Sequence, residues 1–422
     1  MSFDVSAIRR QFPILSQKIG VNPLIYLDSA ATSQKPLAVL EAMDTFSKTA
    51  NANVHRGMHA LAEAATDAYE GARKSVQHFL NAKHADEIIF TKSTTEAINL
   101  VAKSWGKNLA AGDAIVLTIL EHHSNIVPWL QLKDEKKIDV HWIDCDDAGN
   151  LNLRTLDEFL AKKKVKLVCV TGLSNVLGTK PDLASIVNRA HAAGARVLVD
   201  AAQLAAHEAI DVQKLDCDFL ALSGHKIYGP TGIGVLYGKR EILKDMPPFL
   251  GGGMMIGEVT QDHFTAADPP QRFEAGTPPI AEAVGLHAAI EWMGTLPRSE
   301  WEAHERDLVD HAGKVLSAIP GLYILGHQGN QQPANKLTSN KISGCLSFTL
   351  EGMHPHDLTD LLGKQGICLR AGHHCTQPLH RRLGITASVR LSVAVYNTKE
   401  EIDATAEAIR MIQKKFLSSP QP

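Results

Sequence analysis

The chain has 422 residues, of which 44% are hydrophobic and 21% charged, and a net charge of −3. This length favours two domains, and this composition is typical of a globular enzyme. The small negative charge argues against nucleic acid or a membrane surface as the main partner. Because residues 1–20 lack the apolar centre of a secretory signal and no apolar run could span a bilayer, we expect a cytoplasmic protein.

The first predicted elements are a short helix over residues 4–12, an extended segment over 26–31, and an alanine-rich helix that ends near Phe79. His55 and His59 precede that helix with the i,i+4 spacing of a metal-binding pair. No H-E-x-x-H pattern surrounds these two histidines, so we predict no metal site.

From about residue 86, short apolar runs alternate with helical stretches, which predicts an α/β architecture with a mostly parallel sheet. The predicted strands cover residues 88–90, 115–117, 167–170, 196–199 and 217–222. In open α/β sheets, ligands collect at the carboxyl ends of the strands. Polar residues follow several of these strands, so we expect the functional site at this edge of the sheet.

Thr95 follows the first of these strands, just before a predicted helix over residues 97–105. Its hydroxyl could cap the helix or help to hold a phosphate at the helix N-terminus. His122 and His123 follow the second strand, where an aromatic ring can lie flat on a planar cofactor. Spacing alone allows either histidine in this role. Asn175 follows the third strand and is a candidate ligand-binding residue.

Asp200 ends the fourth strand and is followed by Gln203. A carboxylate at this place can keep a pyridine nitrogen protonated, so that the ring accepts electrons from a carbanion. The alternative for Asp200 is a helix N-cap, which does not account for Gln203. After the fifth strand comes Lys226, in a glycine-containing run over residues 223–234. Such a lysine can form a Schiff base with an aldehyde cofactor, and the alternative is a surface lysine beside a turn.

The run over residues 223–234 resembles the pyridoxal-phosphate lysine segment of cysteine desulfurases, in the SufS/Csd-type branch that also contains selenocysteine lyases. Similar blocks extend from Tyr26 to about Asn397, so the resemblance covers nearly the whole chain. It implies a fold-type-I enzyme that depends on pyridoxal 5′-phosphate.

The C-terminal part of the chain alternates predicted strands with helices and is expected to be α+β. The strands cover residues 323–325, 344–350, 368–370 and 389–395, and the helices 282–295, 300–318, 356–364 and 399–416. With the resemblance, this predicts a large α/β domain over residues 21–294 that carries a mostly parallel seven-stranded sheet. Residues 1–20 and 295–422 are expected to form a smaller α+β domain.

The resemblance also implies roles for individual residues around the cofactor. The cofactor-binding residues that it implies are Thr95, His123, Asp200, Gln203, Ser223, His225, Lys226 and Thr277. Of the two adjacent histidines, the resemblance selects the second, His123, as the stacking ring and proton carrier. Thr277 is expected to reach the cofactor phosphate of a neighbouring subunit, which implies a homodimer with shared active sites.

Two arginines near the C-terminus are candidates for binding the substrate carboxylate, because a guanidinium group can hold both oxygens at once. Arg390 lies inside a predicted strand, where an unpaired charge would be costly, so it is the preferred candidate. Arg370 is expected to line the site. Asn175 and, through the resemblance, His55 complete the predicted substrate-binding set.

Six cysteines are scattered without a C-x-x-C pair, so neither a disulfide framework nor a zinc ribbon is expected. Five of them lie in apolar or ordinary surroundings. Cys375 lies in a polar run over residues 372–378, directly after His373 and His374. Because nearby basic groups can raise the thiolate fraction of a cysteine, Cys375 is the candidate nucleophile.

The resemblance and these residues together predict a desulfurase that converts L-cysteine into L-alanine, with a persulfide on Cys375. Sulfur would then pass to a small acceptor protein for Fe–S cluster assembly, and the short segment 370–377 suggests slow turnover without that acceptor. A selenocysteine lyase, a cysteine sulfinate desulfinase or a transaminase on the same scaffold are the alternatives. We do not expect a catalytically silent binding protein, because the chain contains Lys226, Asp200, His123 and Cys375 together.

Overall fold

A computed structural model of the chain describes residues 3–326 and 343–417. Its strands are β1 (Lys18–Ile19), β2 (Asn22–Pro23), β3 (Ile25–Tyr26), β4 (Ile88–Thr91), β5 (Asp113–Thr118), β6 (Asp139–Ile143), β7 (Lys164–Thr171), β8 (Arg196–Asp200), β9 (Phe219–Ser223), β10 (Gly234–Gly238), β11 (Ile256–Val259), β12 (Phe264–Ala266), β13 (Leu322–Ile324), β14 (Cys345–Leu350), β15 (Ile367–Cys368), β16 (Arg370–Gly372) and β17 (Ser388–Ser392). Its helices are α1 (Val5–Arg9), α2 (Leu37–Thr49), α3 (Ala60–Phe79), α4 (Thr94–Lys103), α5 (Val127–Lys136), α6 (Leu153–Lys162), α7 (Leu183–Ala192), α8 (Leu204–His207), α9 (Val212–Leu215), α10 (Arg240–Asp245), α11 (Ile280–Gly294), α12 (Arg298–Ser317), α13 (Pro355–Gly363), α14 (Gln377–Arg382) and α15 (Lys399–Leu417).

The main sheet has seven strands in the order β4-β10-β9-β8-β7-β5-β6. The strands from β5 to β9 run parallel to one another, whereas β10 is antiparallel to both β4 and β9. This arrangement confirms the predicted mostly parallel, seven-stranded sheet of the fold-type-I enzymes. Because helices cover both faces of such a sheet, a central strand such as β5 is buried at every residue.

Successive residues of the central strands enter different hydrophobic cores, because side chains alternate between the two faces of a sheet. Val116 packs in one core together with Tyr69 of α3. Its neighbours Ile115 and Leu117 pack in the other core together with Trp129 of α5. The continuous apolar runs in the sequence therefore reflect burial on both faces.

A second, antiparallel sheet has the order β13-β14-β17-β16. Its apolar face, which includes Phe348 and Leu391, packs against Leu308 of α12, Leu358 of α13 and Ile409 of α15. This part of the structure confirms the α+β character that was predicted for the C-terminal region. The sheet presents β16 and β17 toward the carboxyl edge of the main sheet, where both contribute to one cavity.

The N-terminal segment joins the second sheet to this edge. Strand β3 pairs in parallel with β15, and Ser392 donates its backbone N–H to the carbonyl of Leu27 at 2.8 Å. Asp28 follows directly and lies beside β17. The division of the chain at residues 20 and 294 stays a prediction. Residues 1–2, 327–342 and 418–422 of the predicted domains lie outside the described residues.

Some element boundaries differ from the predicted ones for local reasons. Helix α4 begins three residues earlier than predicted, because the Ser93 hydroxyl accepts the backbone N–H of Glu96 and caps it. Strand β17 ends three residues earlier, because the N–H of Ala394 donates to the side chain of Asn397. Within the described ranges, none of the helices has both the length and the apolarity that crossing a membrane requires.

Candidate active site

The candidate site is a cavity of about 400 Å³ at the carboxyl ends of the parallel strands. One wall comes from the turns that follow β4, β5, β7, β8 and β9, and the other from β16, β17 and the N-terminal segment. The predicted site residues that line it are Thr95, Asn175, Asp200, Gln203, Ser223, His225, Lys226, Arg370, Cys375 and Arg390. The fold thus collects residues from both ends of the chain in one place.

Three predicted site residues are absent from the described lining of this cavity. Thr277 lines a separate depression of about 400 Å³. His55 lies beside Glu70, with 3.5 Å between its Nε2 atom and a carboxylate oxygen. His123 contacts the segment that carries Cys375. The predicted cofactor and substrate contacts of these three residues therefore stay predictions.

Lys226 ends a short 3-10 turn, Gly224–Lys226, that directly follows β9. The turn is tight, because a Cβ atom on Gly224 would meet the Ile233 side chain at 2.7 Å. Burial of the amine lowers the pKa of Lys226 to about 8, although the neighbouring carboxylate of Asp200 acts in the opposite direction. The amine can therefore be neutral at mildly alkaline pH, as a Schiff-base lysine requires.

Asp200 is buried at the end of β8, where its carboxylate accepts the backbone N–H of Ala202 at 3.0 Å. Burial raises the pKa of this carboxyl group, while the Ala202 N–H and the Lys226 charge oppose the shift. Helix α8 begins only at Leu204, with Gln203 at its N-cap position, so Asp200 does not cap this helix. Gln203 donates from its side chain to the carbonyl of Ala30 at 2.8 Å.

Hydroxyl groups surround the start of helix α4. The backbone N–H and the hydroxyl of Thr94 lie 2.8 Å and 2.7 Å from the hydroxyl of Ser223, and the hydroxyls of Thr95 and Ser124 are 2.7 Å apart. Gly234 packs so closely that an added Cβ atom would come within 2.5 Å of the Ser93 backbone. Such a helix N-terminus, rich in N–H and O–H donors, suits a phosphate group.

The structure places His122, and not the predicted His123, in the cavity. His122 precedes the short 3-10 turn His123–Asn125 in an extended conformation, so the two neighbouring side chains point in different directions. Burial, together with the Lys226 charge, lowers the pKa of His122 to about 3, so that its ring is neutral. Of the two alternatives that spacing left open, the geometry therefore favours His122 as the ring that faces a planar cofactor.

Arg370 and Arg390 meet at the carboxylate of Asp28. The Nη2 atom of Arg390 lies 3.2 Å from Asp28 Oδ1, and Arg370 Nε lies 3.2 Å and 3.1 Å from the two oxygens. Arg390 also donates from Nη1 to the carbonyl of Asn175 at 3.0 Å. Sequence reasoning missed Asp28, because its partners are 342 and 362 residues away along the chain. The one local signal was an acidic residue in the extended segment over residues 26–31.

Cys375 is exposed and lies in a strained backbone segment. His374 and Cys375 have φ angles of 49° and 57°, in the left-handed region that non-glycine residues rarely adopt. Asn175 donates from its side-chain amide to the carbonyl of His374 at 2.8 Å, and His123 donates its N–H to the carbonyl of Cys375 at 2.7 Å. The N–H of Cys375 donates to Nδ1 of His373 at 3.1 Å. These bonds hold the thiol at the rim of the cavity.

The donor set fits pyridoxal phosphate. The hydroxyls and N–H groups at the start of α4 suit the phosphate, Asp200 suits a protonated ring nitrogen, and Lys226 suits the aldehyde. His122 offers the aromatic face. One donor of the site is also unused, since Nε of the buried Arg390 has no hydrogen-bond partner among the described residues.

Comparison with known proteins decides the family. Residues 25–405 match the family described as aminotransferase class-V. The cysteine desulfurase of Synechococcus elongatus is 46% identical over 419 residues, which are 99% of this chain and 65% of that protein. The probable cysteine desulfurase of Synechocystis sp. is 46% identical over 97% of this chain and 96% of its own length. The chain belongs to the class-V aminotransferase family, among its cysteine desulfurases.

Solved structures agree with this family assignment. The cysteine desulfurase CsdA of Escherichia coli superposes with a TM-score of 0.89 at 40% identity, covering 98% of this chain and 100% of that one. The desulfurase of Thermococcus onnurineus gives 0.90 at 38% identity, covering 97% and 98%. A C-DES variant with glycine linked to its PLP cofactor gives 0.79 at 22% identity and supports the fold. The desulfurase resemblance, the fold and the pyridoxal phosphate dependence predicted from the sequence are confirmed.

Proposed function

We propose that this desulfurase takes sulfur from L-cysteine, releases L-alanine and keeps the sulfur as a persulfide on Cys375. The observation that carries the proposal is that Lys226, Asp200, Arg390 and Cys375 line one cavity. Together they provide a Schiff-base lysine, an acid for a ring nitrogen, a carboxylate-binding guanidinium and an accessible thiol. The names of the relatives, which cover nearly all of this chain, support the same reaction.

Lys226 would hold the cofactor, with the start of α4 and Ser223 at its phosphate and Asp200 at its ring nitrogen. When bound, pyridoxal phosphate supplies a conjugated ring that takes up the electron pair left on the substrate α-carbon. With a pKa of about 8, the amine of Lys226 can accept and release a proton near neutral pH. This residue therefore serves as the base at the α-carbon.

Cys375 accepts the sulfur in this scheme. Its thiolate attacks the sulfur of the substrate, an S–S bond forms, and the C–S bond breaks with its electron pair on the substrate β-carbon. Protonation of that carbon, and return of a proton from Lys226 to the α-carbon, complete L-alanine. One thiol of the enzyme becomes one persulfide, so this half of the reaction consumes neither an oxidant nor a reductant.

An exposed persulfide suits transfer to the thiol of a small acceptor protein that serves Fe–S cluster assembly. The six cysteines, all within the described ranges, are free, as expected for a protein of the reducing cytosol. This supports the proposed cytoplasmic location. The closest chemical alternatives for the same site are the cleavage of L-selenocysteine and of L-cysteine sulfinate.

A homodimer with shared active sites completes the proposal. Thr277 does not line the cavity of its own chain among the described residues, so its predicted phosphate contact needs a second subunit. Met58, which precedes α3, is 98% exposed, Leu61 of α3 is 50% exposed, and Leu40 of α2 is 42% exposed. Apolar side chains exposed in this way suit burial against another copy of the chain.

The dimer can be tested by mixing two inactive variants, Lys226→Ala and Thr277→Ala, at limiting cofactor. If the sites are shared, the mixed dimer regains one intact site, and part of the activity returns after subunit exchange. No recovery in mixed dimers that are shown to form would contradict shared sites.

The reaction itself is tested with purified holoenzyme and each of three substrates, L-cysteine, L-selenocysteine and L-cysteine sulfinate. We expect alanine from L-cysteine, together with protein-bound persulfide, and acceleration when a thiol acceptor removes the sulfur. Alanine formed from L-selenocysteine but not from L-cysteine or L-cysteine sulfinate would instead identify a selenocysteine lyase.

A further inference from the structure

The hydroxyl of Ser33 is bonded to the backbone on both sides of Lys226. It donates to the carbonyl of His225 at 3.1 Å and accepts the backbone N–H of Tyr228 at 2.8 Å. The backbone N–H of Ser33 also donates to the carbonyl of His225, at 2.9 Å. Because one hydroxyl is donor and acceptor at once, a single side chain fixes both ends of the stretch that contains Lys226 and Ile227.

The conformation of Tyr228 shows why this stretch needs support. Tyr228 has a φ angle of 64°, in the left-handed region that a bulky residue rarely adopts. Such a conformation persists only where surrounding contacts hold it. Tyr228 and Ser33 are both buried, so removal of the hydroxyl would leave a buried N–H without its partner. The backbone that follows Lys226 would then be free to relax.

The segment that carries Ser33 is itself held from other parts of the protein. The hydroxyl of Tyr26 donates to the carbonyl of Thr32 at 2.8 Å, and the N–H of Gln34 donates to the hydroxyl of Tyr396 at 3.2 Å. These bonds lie directly before and after Ser33 in the chain. A side chain can fix another segment only if its own backbone is fixed, and Ser33 meets this condition.

We propose that Ser33 is a positioning residue for Lys226, which holds the turn after β9 so that the lysine amine stays buried and faces the cavity. The proposal rests on the function proposed above, in which Lys226 is the Schiff-base lysine and the base at the α-carbon. Proton transfer depends steeply on geometry, so an amine that leaves a loosened turn at another angle moves the proton more slowly. Substrate binding is assigned to Arg390, on another strand, so kcat and KM should respond differently.

The amine of Lys226 faces charged and titratable groups from several elements. They are Asp200 of β8, Arg370 of β16, Arg390 of β17, Cys375, His122 after β5, and His225 of its own turn. Ser33 adds no charge to this set. Ser33→Ala therefore alters the amine through its position and its contact with water, and not through the loss of a neighbouring charge.

The first measurement uses cofactor-free protein and needs no turnover. Reductive methylation with formaldehyde labels only the neutral form of an amine, and peptide mass spectrometry reads the labelling of Lys226 at each pH. Burial lowers the pKa of this amine to about 8, so labelling of the wild type should have its midpoint there. In Ser33→Ala water reaches the amine, and the midpoint should rise by about one pH unit toward the ordinary lysine value. Ser33→Thr keeps the hydroxyl and should keep the wild-type midpoint.

Steady-state kinetics of the holoenzymes with L-cysteine give the second readout. The kcat for alanine formation should fall about fivefold to tenfold in Ser33→Ala, as is typical for the loss of one hydrogen bond, while KM stays close to the wild-type value. The matched control is Ser75→Ala, which removes another buried hydroxyl. The Ser75 hydroxyl lies 2.6 Å from a ring nitrogen of His287, outside the described cavity lining. This variant should keep the wild-type midpoint and the wild-type kcat.

An unchanged midpoint or an unchanged kcat in Ser33→Ala, or equal changes in Ser75→Ala, would overturn the proposal. Thr32→Val is the second variant if Ser33→Ala folds poorly. The Thr32 hydroxyl donates to the same carbonyl of His225 at 3.1 Å, and Thr32→Val leaves the Tyr228 N–H bonded. It should shift both quantities in the same direction by less, and no shift would contradict the proposal. Failure of the wild type to make alanine from L-cysteine would contradict the desulfurase reaction alone, because the labelling midpoints do not depend on turnover.

Discussion

The backbone N–H of His123 donates to the carbonyl of Cys375 at 2.7 Å, and its ring Nε2 accepts the N–H of Gln377 at 3.1 Å. His123 thus binds the nucleophile's segment from both its backbone and its side chain. Because His374 and Cys375 have left-handed φ angles, this segment needs such bonds to keep its conformation. These contacts favour His123 as a positioning residue for Cys375, whereas His122 lines the cavity, and the predicted cofactor contact of His123 stays a prediction.

The variant His123→Phe tests this assignment, because phenylalanine keeps a ring but cannot accept the Gln377 N–H. We expect kcat for alanine formation to fall about fivefold to tenfold, since one hydrogen bond contributes roughly 1 kcal/mol. The KM for L-cysteine and the visible spectrum of the holoenzyme should stay unchanged. The comparison variant His122→Ala should instead weaken cofactor retention during dialysis. The opposite pattern would support the predicted role of His123 as the stacking ring.

Lys226 gives a pH prediction. Burial lowers the pKa of its amine to about 8, and only the neutral amine reacts with an aldehyde. In cofactor-free protein, the rate of pyridoxal phosphate uptake should therefore rise with pH, with a midpoint near 8, and level off above it. Stopped-flow absorbance measures this rate. A midpoint near the ordinary lysine value above 10 would contradict the buried environment.

Replacing Lys226 by alanine should abolish alanine formation while the protein stays folded. Because we propose that this amine is both the covalent attachment point and the base, the visible absorbance of the wild-type holoenzyme should also be lost. Circular dichroism checks the fold, and Lys133→Ala, an exposed lysine of α5, is the matched control. Normal turnover in Lys226→Ala would rule out both roles.

Asp200→Asn should slow alanine formation by about 100-fold or more, the size typical for the loss of one preorganised electrostatic interaction in an active site. The amide keeps the shape of the carboxylate and removes its charge, so cofactor binding should survive. Steady-state kinetics and cofactor content measure the two effects separately. Asp134→Asn, on the exposed face of α5, controls for a loss of charge. A wild-type kcat in Asp200→Asn would contradict a catalytic role for Asp200 and leave only a structural one.

Gly234→Ala tests the proposed phosphate-binding site at the start of helix α4. The added Cβ atom would lie 2.5 Å from the Ser93 backbone and should displace the start of helix α4. We expect a loss of about 1–3 kcal/mol in the free energy of unfolding, as for overpacked cores, together with weaker pyridoxal phosphate binding. Gly294→Ala, where nothing lies within 4 Å of the added atom, is the control and should lower neither the free energy of unfolding nor cofactor binding.

Much of the fold was predictable because it depends on local patterns. Apolar runs such as residues 197–199 predict buried parallel strands, and polar residues after them predict the edge at which ligands bind. Asp200 ends β8 and Lys226 follows β9 after one short turn, so the sequence pattern singled out both residues, and their chemical roles stay predictions. The order of the strands in the sheet was not accessible in this way, since it depends on which runs pair.

The parts of the site that escaped prediction depend on contacts between distant segments. Asp28 meets Arg390 only because β3 pairs with β15 beside the second sheet, a pairing that no local pattern encodes. The choice between His122 and His123 depended on a single turn of the backbone, and spacing could not decide it. Asn175 lines the cavity as predicted, but its amide is bonded to the carbonyl of His374.

Mass spectrometry of the intact protein and its peptides tests whether Cys375 receives the sulfur of L-cysteine. After a brief reaction with L-cysteine and removal of small thiols, we expect one added sulfur on the peptide that carries Cys375. The added sulfur should be absent in Cys375→Ala, which should bind pyridoxal phosphate but form almost no alanine, and present in Cys368→Ala. Added sulfur on another cysteine, or near wild-type alanine formation by Cys375→Ala, would contradict the transfer of sulfur to Cys375.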